Sequence, residues 1–459
     1  MTKHCHHHHH PSRRGLLGGL LGGAVLFGGL RSINQLALAN TLAGASDRYF
    51  IFCYFQGGWD ALLGLDPRDP QVFRPDLQSE TLIQPGYNFL DDIGAASEIV
   101  SSGIPGMDFG PFIGDLADWS SRMAVVRGMS MDTLSHEAGR RRFLTGKVPA
   151  GVQARGSNGA THLASWLGQN DPIPNLTAKV ESYNVDQPVY ATALGVNNVA
   201  DLQDILAPGD AALPGEVSDR ISALLDEFAS CEKTKESRVL TEALEQRLAA
   251  QSLVAQRLDL LFDFASNDAD MVAIRDQYGF GTGELGSSEA QAAMAVTALT
   301  AGVSRVVSFE ATGNLDTHDN WAVDHGPRLR DGFDLVAKLV ADLDSRPYGN
   351  TGETWLDRTT IMGFSEFTRT PLLNDRGGRD HALMNNCFVL GGGIQGGQVI
   401  GASSDVGMAP QAVDLNTGVL NAGGDIVRPE HIWRALLHSI GVVDDVADLR
   451  VEPLLALLA

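Results

Sequence analysis

The chain has 459 residues, 44% hydrophobic and 20% charged, enough to bury the core of one large α/β domain. Its 34 basic and 56 acidic residues leave a formal charge of −22, which excludes a general nucleic-acid binder, because that function needs a basic footprint. Four cysteines in so long a chain exclude a disulfide framework.

In chain order, the first element is an address. Ser12-Arg13-Arg14 opens an apolar run over residues 16–30, and Ala37-Leu38-Ala39 follows it. A basic start, an apolar middle and a small-x-small site make a signal peptide, and paired arginines are the twin-arginine form that exports folded proteins. Residues 1–39 are therefore expected to be removed, leaving residues 40–459 as a single α/β domain in the periplasm or cell envelope. The export machinery is the expected partner. Fifteen residues with six glycines are too short and too weak for a stable transmembrane segment. The histidines around Cys5 could bind metal, but they leave with the leader.

Residues 48–55 read as a buried strand, stopped by Gln56-Gly57-Gly58-Trp59-Asp60. A second strand is predicted over 123–127. Ser135 is placed to cap a helix over 136–144, and another helix follows at 161–167. Residues 217–264 carry the longest helical periodicity, through Leu224, Leu225, Phe228, Leu240, Leu244 and Leu248. Two helices broken near 229–234 are expected there, as an insertion or covering layer with a core-facing apolar side. Helices over 288–301, 327–343 and 429–440 then alternate with strands at 305–309, 359–364 and 386–390. This alternation predicts a three-layer α/β/α sandwich with a mainly parallel central sheet.

In such sheets, binding residues gather beyond the C-terminal ends of strands. Asp60, Asp316, His318, Glu366, Asp380 and His381 fall in polar clusters at such ends. Carboxylate and imidazole are ordinary ligands for a divalent metal, so these six form the candidate ligand set for one or two ions. Asp319, Asp324 and His325 stand in reserve. Arg369 is a forked donor for an anionic group, and His136 is a proton-transfer group if it faces the same cleft. The structural alternative has Asp60 capping a turn, Glu366 pairing with Arg369 and Ser135 only capping its helix. The glycines at 391–397 lack the lysine and hydroxyl of a phosphate loop.

The order Gly57-Gly58-Trp59-Asp60, Ser135-His136-Glu137-Ala138, Asp316-Thr317-His318, Phe364-Ser365-Glu366-Phe367-Thr368-Arg369-Thr370 and Asp380-His381 resembles the DUF1501 family of exported bacterial proteins, over about residues 48–402. That family is similar to the alkaline phosphatase and sulfatase superfamily. The resemblance implies an alkaline phosphatase-like fold and a divalent metal such as zinc. It puts Ser135 where a superfamily nucleophile sits, with Thr133 as a local alternative. The family often has an asparagine-bearing stretch after its first aspartate, whereas this chain reads Asp60-Ala61-Leu62-Leu63. The function expected is a metal-dependent hydrolase of phosphate or sulfate esters, acting on an anionic small molecule or polysaccharide. The alternative is a non-catalytic envelope protein for assembly or polysaccharide binding.

Overall fold

The computed structural model describes residues 47–151, 153–208 and 215–459; the leader, with its arginine pair, lies outside the described residues. Of the described residues, Leu206–Leu258 form one compact unit and the remainder form another.

The larger unit is built on β1, Tyr49–Phe55, whose seven residues YFIFCYF are all buried. A run without polar alternation suits a central strand covered on both faces. The other strands of its sheet are β2 (Met123–Ser130), β3 (Asn175–Ala178), β4 (Leu194–Val196), β5 (Val306–Thr312), β6 (Thr359–Phe364), β7 (Met384–Gly391) and β8 (Gln398–Ile400). Among the described residues their order is β8-β2-β7-β6-β1-β5-β3-β4. Neighbours run parallel except at β7, which is antiparallel to both β2 and β6. The sheet is therefore mostly parallel, as predicted.

Helices cover both faces. On one, Phe50, Phe52 and Tyr54 join a core with α1 (His136–Thr145), α2 (Gly159–Leu167) and α5 (Pro429–His438). The Trp433 ring lies 5.0 Å from Phe52, and Phe143 stacks on Phe364 at 4.5 Å. On the other face, Phe55 meets Phe333 of α4 (Trp321–Ser345) at 5.0 Å, and α3 (Ser288–Thr300) packs beside α4 on β5.

Three differences from expectation have physical causes. Strands β3, β4 and β8 have only three or four residues, too few to show a period of two. Helix α4 starts at Trp321, so Pro327 lies inside it rather than at its start. Tertiary bonds recruit that first turn despite the proline: the Trp321 indole donates to Asp60 at 2.6 Å, and its amide donates to the Gly377 carbonyl. The third difference is in the smaller unit, which consists of Gly215–Ser230, Glu232–Glu236 and Arg238–Ala255, with breaks at Cys231 and Ser237. Leu224 and Phe228 are 58% and 54% exposed there, not core-facing, and an Asp226–Arg247 ion pair at 2.9 Å joins the outer helices. Among the described residues, no helix is long and apolar enough to cross a membrane.

Candidate metal centre

Strands β5, β1 and β6 are parallel neighbours, so the turns after them leave the sheet at one edge. Tyr54 of β1 is in register with Glu310 on one side and Phe364 on the other. The three turns carry Gly57-Gly58, Asp316-Thr317-His318 and Ser365-Glu366. Gly57 has φ +113°, and a Cβ there would lie 2.6 Å from the Asp316 amide nitrogen. Only glycine lets these two turns approach so closely.

Helix α1 brings His136 to the same edge from β2. Its Gly139 lies against β6's turn: a Cβ there would stand 2.7 Å from the Glu366 carbonyl oxygen. Gly→Ala in an open helix stabilises by about 1 kcal/mol, but overpacking a tight contact costs about 1–3 kcal/mol. Gly139→Ala is therefore expected to lower the urea midpoint and displace His136; an unchanged or raised midpoint would contradict this packing. His381 arrives on a two-stranded ribbon, His381–Ala382 against Thr368–Arg369, directly opposite Arg369.

Four donor atoms converge. Around Asp316 Oδ1 stand His318 Nε2 at 3.0 Å, His136 Nε2 at 3.3 Å and His381 Nε2 at 3.4 Å. The His318 and His381 Nε2 atoms are 3.2 Å apart. His136, Asp316 and His381 alone form a group whose ligand atoms all lie within 4.8 Å of one another, a cluster capable of holding a metal ion. The three imidazoles are half-buried and Asp316 is exposed, so the cluster opens to solvent.

Each imidazole is held from behind. His136 Nδ1 lies 2.8 Å from Glu366 Oε1, His318 Nδ1 2.7 Å from Asp380 Oδ1, and His381 Nδ1 2.6 Å from the Leu134 carbonyl. An imidazole that donates from Nδ1 presents Nε2 as a lone pair, the arrangement of metal-bound histidines. Three lone pairs and a carboxylate facing one another repel unless a cation or added protons lie among them. The separations of Asp316 Oδ1 from each imidazole and of His318 from His381, 3.0–3.4 Å, are those of donors sharing one ion, about 3.3 Å for bonds of about 2.0–2.1 Å, and His136, Asp316 and His381 are the three that group within 4.8 Å. The residues present fit a divalent ion.

Electrostatics agree with this geometry. Burial pushes the Asp316 carboxyl up, but the Arg369 guanidinium at 2.8 Å and His136 outweigh it and hold it well below the usual range. The His318 hydrogen bond keeps Asp380 low. Burial would lower His136, yet Glu366 raises it overall, while burial leaves His381 low.

Of the expected ligands, Asp316, His318 and His381 meet at this point, together with His136. Glu366 and Asp380 stand one layer back. Glu366 is fully buried and also accepts the Gly57 amide and the Ser365 hydroxyl. Asp60 stands apart from the cluster. It is buried, with Oδ2 bonded to Trp321 and ion-paired with Arg379 at 2.9 Å, and Oδ1 taken by the Leu62 and Leu63 amides. Arg369 is buried too; its guanidinium bonds the Gly57, Gly58 and Arg379 carbonyls as well as Asp316, so it braces the turns instead of facing solvent. The Ser135 hydroxyl caps α1, accepting from the Ala138 amide and donating to Glu137, and Thr133 accepts the Ser135 amide. Of the reserves, Asp324 pairs with Arg328, His325 bonds Thr317, and Asp319 bridges to Gly377 through its backbone. The Leu134 carbonyl was not legible, since a backbone acceptor leaves no mark in residue type. Asn374, which donates to Asp380 at 3.1 Å, carried no signal either.

The mostly parallel sheet, covered by helices and bearing a His-Asp cluster at its strand ends, defines an α/β protein with a metal-competent edge site. The chain belongs to the DUF1501 family, described as a protein of unknown function, whose model matches residues 47–425. In three dimensions the chain is similar to the PsFucS1 sulfatase from Pseudoalteromonas sp., at 12% identity and TM-score 0.40, covering 94% of this chain and 75% of that one. It is also similar to Ps i-CgsB in complex with k-i-k-neocarrahexaose, at 8% identity and TM-score 0.39, covering 88% and 74%. No curated protein matches the chain.

Proposed function

We propose that the chain is a metal-dependent hydrolase of phosphate or sulfate esters, working in the cell envelope. One observation supports this above others: three imidazole Nε2 atoms and the Asp316 carboxylate face one another at a solvent-open strand edge. Three nitrogens and one oxygen suit zinc and its neighbours better than magnesium or calcium. A divalent ion held by His136, His318, His381 and Asp316 would acidify water and take up charge developing on the ester. Glu366, Asp380 and the Leu134 carbonyl orient the rings, and Arg369 positions Asp316. One ion is favoured over two, because the oxygens of Asp60 and Glu366 are already occupied. Ser135 keeps its role as a cap, and water is the nucleophile.

Zinc-loaded protein is expected to hydrolyse 4-nitrophenyl phosphate or 4-nitrophenyl sulfate, and chelator-treated protein neither. Loaded protein that turns over neither ester would end the hydrolase reading. A second reading has its own support: four protein donors can fill a tetrahedral shell, which is how structural zinc sites are closed. A role in envelope assembly would then follow. Cobalt-substituted protein distinguishes the two, because an open site changes its visible spectrum on adding azide and a closed one does not.

The envelope location rests on the Arg13-Arg14 leader. N-terminal sequencing of protein from its native envelope is expected to begin near Asn40. A soluble cytoplasmic product retaining Met1 would count against export.

A further inference from the structure

Of the three groups that hold the imidazoles from behind, Asp380 is the least secured. The Glu366 side chain is fully buried, and the Leu134 carbonyl is part of the backbone. The Asp380 side chain is 51% exposed. An exposed carboxylate gains little from an ion pair and gives up side-chain freedom to make it, so the His318 contact alone does not fix Asp380. A further contact must hold it.

Asn374 stands where that support is needed. Its Nδ2 donates to Asp380 Oδ1 at 3.1 Å and to the His318 carbonyl at 3.0 Å. Its Oδ1 accepts the amides of Arg376 and Gly378, each at 3.0 Å. A side-chain amide offers two donor hydrogens and two acceptor lone pairs, and all four are used. The partners also fix its orientation, because a flipped amide would set oxygen against both the Asp380 carboxylate and the His318 carbonyl. The turn that follows is closed by the Asn374 amide donating to the Gly378 carbonyl at 2.8 Å. It lies against the His318 peptide: a Cβ on Gly378 would stand 2.1 Å from the His318 carbonyl carbon. One amide group thus ties the backbone of His318 to the carboxylate that the His318 ring meets at 2.7 Å.

We infer that Asn374 is a positioning residue for the metal centre: by spanning the His318 carbonyl and Asp380, it fixes the His318 ring with Nδ1 donating and Nε2 toward Asp316. This rests on the metal-dependent reading above. A side chain that only braced the turn would act through its Oδ1 contacts alone.

Two variants of the full chain separate these roles. Asn374→Asp keeps an oxygen for the Arg376 and Gly378 amides, so the turn survives, but sets a second carboxylate oxygen against Asp380 and the His318 carbonyl. Asn374→Ala removes all four bonds. Both variants are expected to bind zinc about tenfold more weakly than wild type, the loss of an outer partner of a metal ligand, with Asn374→Asp the less destabilised in urea. Wild-type zinc affinity in either folded variant overturns the positioning role. Long-range proton–nitrogen NMR of the imidazoles in metal-free protein at alkaline pH supplies a readout that a turn brace would not move. His318 should carry its proton on Nδ1 in wild type and divide it between the two nitrogens in both variants; an unchanged tautomer also overturns the role. Neither measurement uses turnover. If zinc-loaded wild type hydrolyses no ester, the hydrolase reading fails, and affinity and tautomer still decide the role of Asn374. If wild type binds no zinc, the metal reading fails and the tautomer alone decides it.

Discussion

Replacing His381 with alanine is expected to lower zinc affinity by more than the roughly 10–100-fold that an outer partner of a metal ligand is worth. The reason is geometric. His381 Nε2 lies 3.4 Å from Asp316 Oδ1 and 3.2 Å from His318 Nε2, so its loss removes one corner of the donor set. Glu366→Gln is expected to fall within the 10–100-fold range itself. Glutamine can still accept from His136 and Gly57 through one oxygen, but its amide group then replaces the oxygen that accepts the Ser365 hydroxyl, and the negative charge beside His136 is lost. Competition against a chromogenic chelator measures both affinities, with circular dichroism as the check on folding. If folded His381→Ala binds zinc as tightly as wild type, the ion does not lie among these donors.

The largest loss of stability is expected from Arg379→Ala. Arg379 is fully buried, its Nε 2.9 Å from Asp60 Oδ2, and its guanidinium lies 4.6 Å from the Trp321 ring. Removing one partner of such a pair leaves an uncompensated charge in the interior, at a cost of about 3–5 kcal/mol. Replacing both partners, with Asp60→Leu and Arg379→Met, should not recover that loss, since the Trp321 indole and the Leu62 and Leu63 amides would lose their acceptor. Urea denaturation of the two variants reads both losses. A loss below about 1 kcal/mol for Arg379→Ala would mean that the pair is solvated. Because Arg379 precedes Asp380 and His381, the same variant should also weaken zinc binding.

Much of the framework was legible because strong local patterns coincide with tertiary placement. The 48–55 run is apolar throughout and ends at glycines, so its length and stop were readable. The polar strings after β1, β5 and β6 leave the sheet at one edge, because parallel connectivity alone sends them there. The inner arrangement was less legible. Asp60 follows its strand as a ligand would, but a sequence does not say whether the nearest group across space is a metal or Arg379. His136 reads as the start of a helix. That it shares a point with His318 and His381 depends on how closely α1 packs at Gly139, which no local pattern encodes. The exposed Leu224 and Phe228 show the converse: periodicity establishes which residues share a face, not what that face meets.

The donor atoms come from positions 136, 316, 318 and 381, spread over more than half of the chain. No short stretch can assemble them, so capture of an ion at this point would wait until β1, β5 and β6 have paired and α1 has docked. Contacts of such long sequence separation form slowly and late. An ion that recognises only the assembled state raises the unfolding free energy by mass action, about 2.7 kcal/mol at a concentration one hundred times Kd. Heat resistance would then depend on the metal supply of the compartment, and a starved chain would keep its architecture while becoming easier to melt.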